Sequence, residues 1–267
     1  MLTNNLALIS QVPDVELPEL SRIAAALQKQ ITRDFTPLWN VSGNIGAFGR
    51  IEDVPVDYWT VSLCYSVPEG SGGHRDADGR PAAFVEWTDG WSLSASHEVL
   101  EMLVDPWGKR LVAGPSIKPG QGRVEYLVEV SDPCQSAACA YTVNGEVVSD
   151  FYTPHYFDPV TSKGVRYSFS GKVTRPRQIL KGGYLSWFEA SSGHWWQAQW
   201  YSGSKPAFVD CGKLLPDMSF RAQIDAKTTP LPAPKPSSKP RAPDTTTARA
   251  TKAQFQRVSA ESRRKKS

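Results

Sequence analysis

The stretch His97-Glu98-Val99-Leu100-Glu101 constrains this chain more than any other. At about 100° per residue, a helix through it sets His97 at 0°, Glu101 at roughly 40°, Asp105 at roughly 80° and Glu98 at roughly 100° around the axis. Val99, Leu100, Leu103 and Val104 fall on the other side. The pattern predicts an amphipathic helix that docks its apolar side on a sheet and presents one imidazole and three carboxylates in a single quadrant. Like charges three and four residues apart destabilise a bare helix by a few tenths of a kcal/mol each, and a bound divalent cation reverses that sign. Ser92 or Ser94 is the expected cap, and Pro106 ends the helix because the residue before a proline is pushed out of the α region.

In a helical H-E-x-x-H sequence, the first and fifth residues bind zinc on one face and the second acts as general base on a water. Here Glu101 stands where the second histidine would be. Imidazole and carboxylate at i and i+4 still form a two-point clamp, and a third ligand must come from elsewhere. The candidates lie in Glu129-Val130-Ser131-Asp132-Pro133-Cys134, with Asp132 slightly favoured over Glu129. A zinc ion held by one imidazole and two carboxylates acidifies water less than one held by two imidazoles and a carboxylate. Metal binding is therefore the firmer expectation and hydrolysis the weaker, and an oxygen-rich set also admits Mn²⁺, Fe²⁺ or Ca²⁺. Asp105 is expected to cap or orient the helix end.

The rest of the chain reads as α+β, with a mixed β-sheet, an N-terminal helix, the site helix and further hairpins. Leu6 to Ile9 is a short strand, and Pro18 to Arg33 carries Leu20, Ile23, Ala24, Leu27 and Ile31 at helical spacing. Trp39–Phe48, Tyr58–Ser66, Ala82–Trp87, Arg123–Val130, Tyr167–Val173, Tyr184–Phe188 and Trp195–Tyr201 are strand-like, and Glu69–Arg80 and Gly108–Gly122 are loops. Asn144-Gly145 marks a two-residue hairpin turn. Residues 1–222 form one domain by this reading.

Two paired segments carry a resemblance. Ser96 to Pro106, reading SHEVLEMLVDP, followed by Glu129 to Cys134, reading EVSDPC, resembles the paired motifs of zincin-like metalloproteases of bacteria and phages. It is also similar to a segment of the plant EXORDIUM/phosphate-induced proteins. Val148 to Pro159, reading VSDFYTPHYFDP, looks like the next segment of the bacterial relatives. The resemblance covers roughly residues 80–190. It implies a zincin-like fold, a zinc site on His97, Glu101 and Asp132 or Glu129, Glu98 as the base, and a peptide or protein substrate. It equally allows a zincin-like structural or interaction protein without catalysis, such as a phage virion component.

Tyr152, His155 and Tyr156 are candidate donors to an oxyanion or a substrate, since phenol and imidazole N–H groups hydrogen-bond a developing alkoxide. Half-buried packing is the commoner role for such residues. The Trp-rich run Trp187–Trp200 suits either sugar stacking or a β-rich core, and core packing is the expectation. His194 reads as structural, and His74 carries no distinct signal. Four cysteines at Cys64, Cys134, Cys139 and Cys211 are expected as reduced thiols, with Cys134 and Cys139 close enough in sequence to bridge if oxidised.

The net charge of +3 conceals an asymmetry, because residues 227–267 hold 11 Lys/Arg and 2 Asp/Glu. That segment, rich in Pro, Lys, Thr, Ala, Ser and Arg, lacks the apolar surface to offset ordering entropy, so residues 223–267 are expected to form a disordered basic tail. Its charge suits sequence-blind contact with nucleic acid or a role as an assembly tether. No apolar run reaches the roughly 18 residues of a membrane span, and no signal peptide is recognisable at the N-terminus. The expected setting is the cytoplasm, or a virion for a phage protein.

Overall fold

The protein is described by a computed structural model covering residues 3–66, 74–75, 79–218 and 220–228. The expected tail lies outside these residues, apart from its first few positions. So do most of the Glu69–Arg80 loop and the side chain of His74.

Among the described residues the fold is α+β, with two five-stranded sheets and a hairpin. In the first sheet, β1 (Thr3–Ser10) runs parallel between β2 (Ser42–Ala47) and β3 (Trp59–Cys64). Next to β3 lies parallel β5 (Pro81–Glu86), and β4 (His74–Arg75) closes the edge antiparallel to β5. Strands enclosed this way read as apolar runs: Leu6, Ala7 and Leu8 are completely buried. The second sheet is antiparallel, in the order β12 (Ala207–Gly212), β11 (His194–Gln199), β10 (Tyr184–Glu189), β7 (Arg123–Leu127), β6 (Leu111–Pro115). The expected loop 108–122 thus contains a strand, and β12 was not anticipated. The hairpin of β8 (Tyr141–Val143) and β9 (Glu146–Val148) turns on Asn144 and Gly145, both at positive φ, as their sequence requires.

Helix α1 (Leu17–Lys29) buries Leu20, Ile23, Ala24 and Leu27, the i, i+3, i+4, i+7 stripe that the sequence displays. The expected helix to Arg33 is interrupted, because Gln30–Phe35 continues as a π-helix before the short α2 (Thr36–Trp39). The widened turn carries Gln30 into the interior. There its amide donates to the Ser149 carbonyl (2.9 Å) and to the Tyr141 hydroxyl (3.0 Å), and its carbonyl accepts from the Ser96 hydroxyl (2.7 Å).

The site helix α3 (Trp91–Val104) packs on β5 and β3. Its cap differs from expectation. Gly90 occupies the cap position at φ 81°, and Ser92, one residue inside the helix, donates to the Val147 carbonyl (2.8 Å). The helix ends at Val104 before Pro106, as expected. Asp105 then accepts the backbone N–H groups of Lys109 (3.0 Å) and Arg110 (2.8 Å), which orients the helix exit. A stretch expected as a strand, Tyr167–Val173, makes only an isolated bridge between Tyr152 and Ser168. Its backbone instead answers an irregular strap at 151–153, through Thr153 N–H to the Tyr167 carbonyl and Phe169 N–H to the Phe151 carbonyl.

A last helix, α4 (Phe220–Lys227), runs through the boundary expected at 222/223. Its Ile224 is buried with Leu127, Trp195 and Cys211, a cluster separate from the main core. All four cysteines are free and buried. Trp187 and Trp195 are core residues, so the tryptophan run serves packing, as expected.

Candidate metal centre

α3 is buried on nearly every side, which the sequence pattern did not indicate. Val99, Leu100 and Met102 are completely buried in the core, and Glu101 on the supposed solvent face is only 2% exposed. The carboxylate face is covered by residues 129–134 and by α4.

Two pieces of local structure hold the covering segment in register. After β7 the chain bends into a 3₁₀ turn, Asp132–Cys134. The Ser131 N–H donates to Glu101 Oε1 (3.0 Å) and the Tyr152 N–H to the Val130 carbonyl (2.8 Å). Behind the turn, Gly183 is a steric necessity: a Cβ there would lie 2.6 Å from the carbonyl oxygens of Asp132 and Pro133. On the helix side, Ser96 locks the residue before His97, its hydroxyl accepting the Ser149 N–H (2.9 Å) while donating to Gln30.

His97 Nε2 consequently lies 3.2 Å from Glu101 Oε2 and 3.1 Å from Asp132 Oδ1. The three donor atoms of His97, Glu101 and Asp132 fall within 4.8 Å of one another, a group that could hold a metal ion. Ligands about 2.0–2.2 Å from a tetrahedral zinc sit roughly 3.3 Å apart, so the observed spacing is close to what such an ion needs. Both Asp132 carboxylate oxygens and Glu101 Oε2 are buried without an aligned hydrogen-bond donor. Glu101 Oε2 has the Arg221 guanidinium and Asp132 Oδ1 the His97 ring within ion-pair distance, so Asp132 Oδ2 is the oxygen that a bound cation would newly satisfy.

Of the two alternatives for a third ligand, the structure brings Asp132 to His97. Glu129 turns instead to Arg221, whose Nε lies 3.2 Å from Glu129 Oε1. Glu98 is likewise held by Arg221, with Nη2 at 3.1 Å from both of its oxygens. Nη1 of the same guanidinium reaches Glu101 Oε2 at 2.5 Å, and Asp225 lies 3.7 Å from Nε. Arg221, 123 residues beyond Glu98, was not a candidate from the sequence. The signal that could have found it is the i, i+4 pair Phe220 and Ile224, which marks a short helix where a tail was expected.

The charges respond to this crowding. Burial, the largest influence on His97, favours its neutral form, but Glu101 and Asp132 outweigh it and raise its pKa well above the usual imidazole value. Burial also works against ionised Glu101, yet Arg221 and His97 prevail and lower it to about 2. Glu129 is pushed well above the carboxylate range by burial and then by Asp132. Glu98 is raised by burial, and Arg221 and His97 partly offset that. The sum is five carboxylates, Glu98, Glu101, Glu129, Asp132 and Asp225, around one arginine and one histidine. Burial pushes Glu129 and Asp225 towards their neutral forms, and a divalent cation among these carboxylates would favour ionising them.

The three aromatic candidates separate. The Tyr152 hydroxyl is buried without a hydrogen-bond partner, and after burial itself and Tyr156 the next charges acting on it are Glu101, Glu129 and Asp132. Tyr156 stacks on Tyr152 at 4.1 Å between ring centres, but its hydroxyl donates to the Gln178 carbonyl (3.0 Å). His155 is exposed and paired with Asp158 at 2.9 Å. Among the three, only Tyr152 keeps a free donor near the carboxylates. His194 pairs with Asp210 (3.0 Å), as a structural residue would.

Compared with known proteins, the chain matches no family model, no curated protein and no solved structure. No helix among the described residues is long and apolar enough to cross a membrane.

Proposed function

We propose that this protein is a zinc-dependent metallopeptidase with a zincin-like fold, in which His97, Glu101 and Asp132 hold the metal. The observation that carries the reading is the convergence of those three donor atoms within 4.8 Å, with both Asp132 oxygens buried and lacking an aligned hydrogen-bond donor. When bound, a divalent cation supplies Lewis acidity and lowers the pKa of a coordinated water. Glu98, one residue from His97 on the same helix, takes a proton from water as it attacks a peptide carbonyl. The Tyr152 hydroxyl donates to the oxygen on which negative charge develops. Glu129 stays outside the ligand set and pairs with Arg221 when the site holds no metal.

A second reading, a metal-binding zincin-like structural protein without turnover, is favoured by one observation: Arg221 grips both oxygens of the proposed base. Metal analysis and two variants separate these readings. The full chain is expected to bind one equivalent of Zn²⁺, and His97→Ala to bind none. Glu98→Gln should keep the metal and lose peptide hydrolysis by a factor of about 10² to 10⁴. Failure of the parent to take up stoichiometric zinc removes the centre. Zinc binding without hydrolysis in parent and variant alike leaves the structural reading.

A further inference from the structure

We infer that α4 is a built-in gate on the metal centre, with Arg221 as an internal cation that must withdraw for zinc to enter and for Glu98 to act. The inference rests on the proposed metal centre and adds a regulation to it.

Competition for one oxygen is the first ground. Glu101 spends Oε1 on the Ser131 N–H, which leaves Oε2 as the oxygen facing His97. Arg221 Nη1 sits on that same oxygen at 2.5 Å. A guanidinium and a metal ion cannot share it comfortably, because a fixed positive charge so close repels a dication. The second ground is the grip on Glu98: Arg221 Nη2 lies 3.1 Å from both of its oxygens, so the guanidinium fills the space beside the carboxylate where an attacking water would have to sit.

The third ground is how α4 is anchored. It reaches the body through Ile224 in the small cluster with Leu127, Trp195 and Cys211, and through Phe220 tilted against Trp195 with ring centres 4.6 Å apart. Its polar ties are the Arg221 ion pairs with Glu98, Glu101 and Glu129, which a metal ion would replace, together with bonds at its rim such as Phe220 N–H to the Gly108 carbonyl, Gln223 to the Leu215 backbone, and Lys227 Nζ to the Cys211 and Lys213 carbonyls. An eight-residue helix does not persist in water without such packing. A short element on a satellite core is the part of this site most able to open, and a metal ion taking the place of Arg221 among the carboxylates offsets the ion pairs that undocking breaks. Once α4 leaves, Arg221 goes with it, and the negative charge left behind attracts the dication that replaces it.

Hydrogen exchange and zinc-uptake kinetics on the full chain test the gate. Adding Zn²⁺ to the metal-free parent should increase exchange at residues 220–228 while protecting 97–104 and 129–134. Ile224→Ala, which touches no carboxylate, should speed Zn²⁺ uptake at least about tenfold. Phe220→Ala serves the same purpose should Ile224→Ala lose its cooperative thermal transition. Arg221→Lys, retaining the charge but not the fork, should also take up zinc faster. Zinc that protects α4, or uptake unchanged or slowed in the loosened variants, overturns the gate while the metal centre stands. No zinc bound by parent or variants overturns both.

Discussion

Helices α3 and α4 supply opposite charges to the same pocket and are held in opposite ways. α3 lies in the main core with Ala95, Val99, Leu100 and Met102 completely buried, and its polar Ser96 is tied to Gln30 and Ser149. α4 is held by a smaller cluster around Ile224 and by the ion pairs of Arg221 with Glu98, Glu101 and Glu129. The difference teaches where precision and where motion reside. The side chains spaced 3.1–3.2 Å around His97 stand on, or are hydrogen-bonded to, the helix packed in the main core. The arginine that pairs with them stands on the helix that we propose can undock.

The comparison breaks most visibly at α3. Leu100→Ala should cost about 2–5 kcal/mol of global stability, read by denaturant unfolding, because a fully buried leucine in a packed helix leaves a cavity. The same truncation at Ile224 should register as faster exchange in 220–228 with a smaller loss of global stability. Equal global losses at the two positions would show that both helices belong to one cooperative unit. Next in size is Gly183→Ala, which forces a methyl against the backbone carbonyls that shape the Asp132 turn. It should weaken zinc binding more than it lowers the thermal midpoint, and a lowered midpoint with unchanged zinc affinity would dissociate the turn from the centre. Ser96→Ala removes a buried hydroxyl that donates once and accepts once, for about 1–3 kcal/mol. A separate test concerns α4 and pH. Asp225, raised to about 8 by burial despite Arg221, is protonated in the folded state at pH values where the unfolded chain is ionised. That contribution to stability is complete below its ordinary value of 3.8 and is lost as pH rises towards about 8. Asp225→Asn, which cannot ionise, should therefore gain on the parent through this window, by at most about 1.4 kcal/mol per pH unit. A gap that does not change with pH would place Asp225 in water rather than against α3.

Much of this site was legible before any fold was known. The spacing of His97, Glu98 and Glu101, the stop at Pro106, the orienting role of Asp105 and the turn at Asn144-Gly145 all derive from local rules, because each depends on residues a few positions apart. The α+β character was legible for the same reason. The strand expected at Tyr167–Val173 failed because its partners lie on an irregular strap rather than a sheet edge, and β12 was missed because Ala207–Gly212 alternates weakly. Burial of the acidic face of α3 was hidden as well, since the wheel shows which side is polar but not what covers it.

What the chain determined by itself is a helix bearing an imidazole and two carboxylates on one side, and a nearby acidic strand end able to complete a cation site. Only the tertiary structure decided that Asp132 rather than Glu129 meets His97, and that Arg221 occupies the space between Glu98, Glu101 and Glu129. The choice between two carboxylates three residues apart turns on how a single 3₁₀ turn is wedged over Gly183. The arginine arrives from 123 residues away. Neither is encoded in any local period, because both depend on which distant surfaces exclude water together.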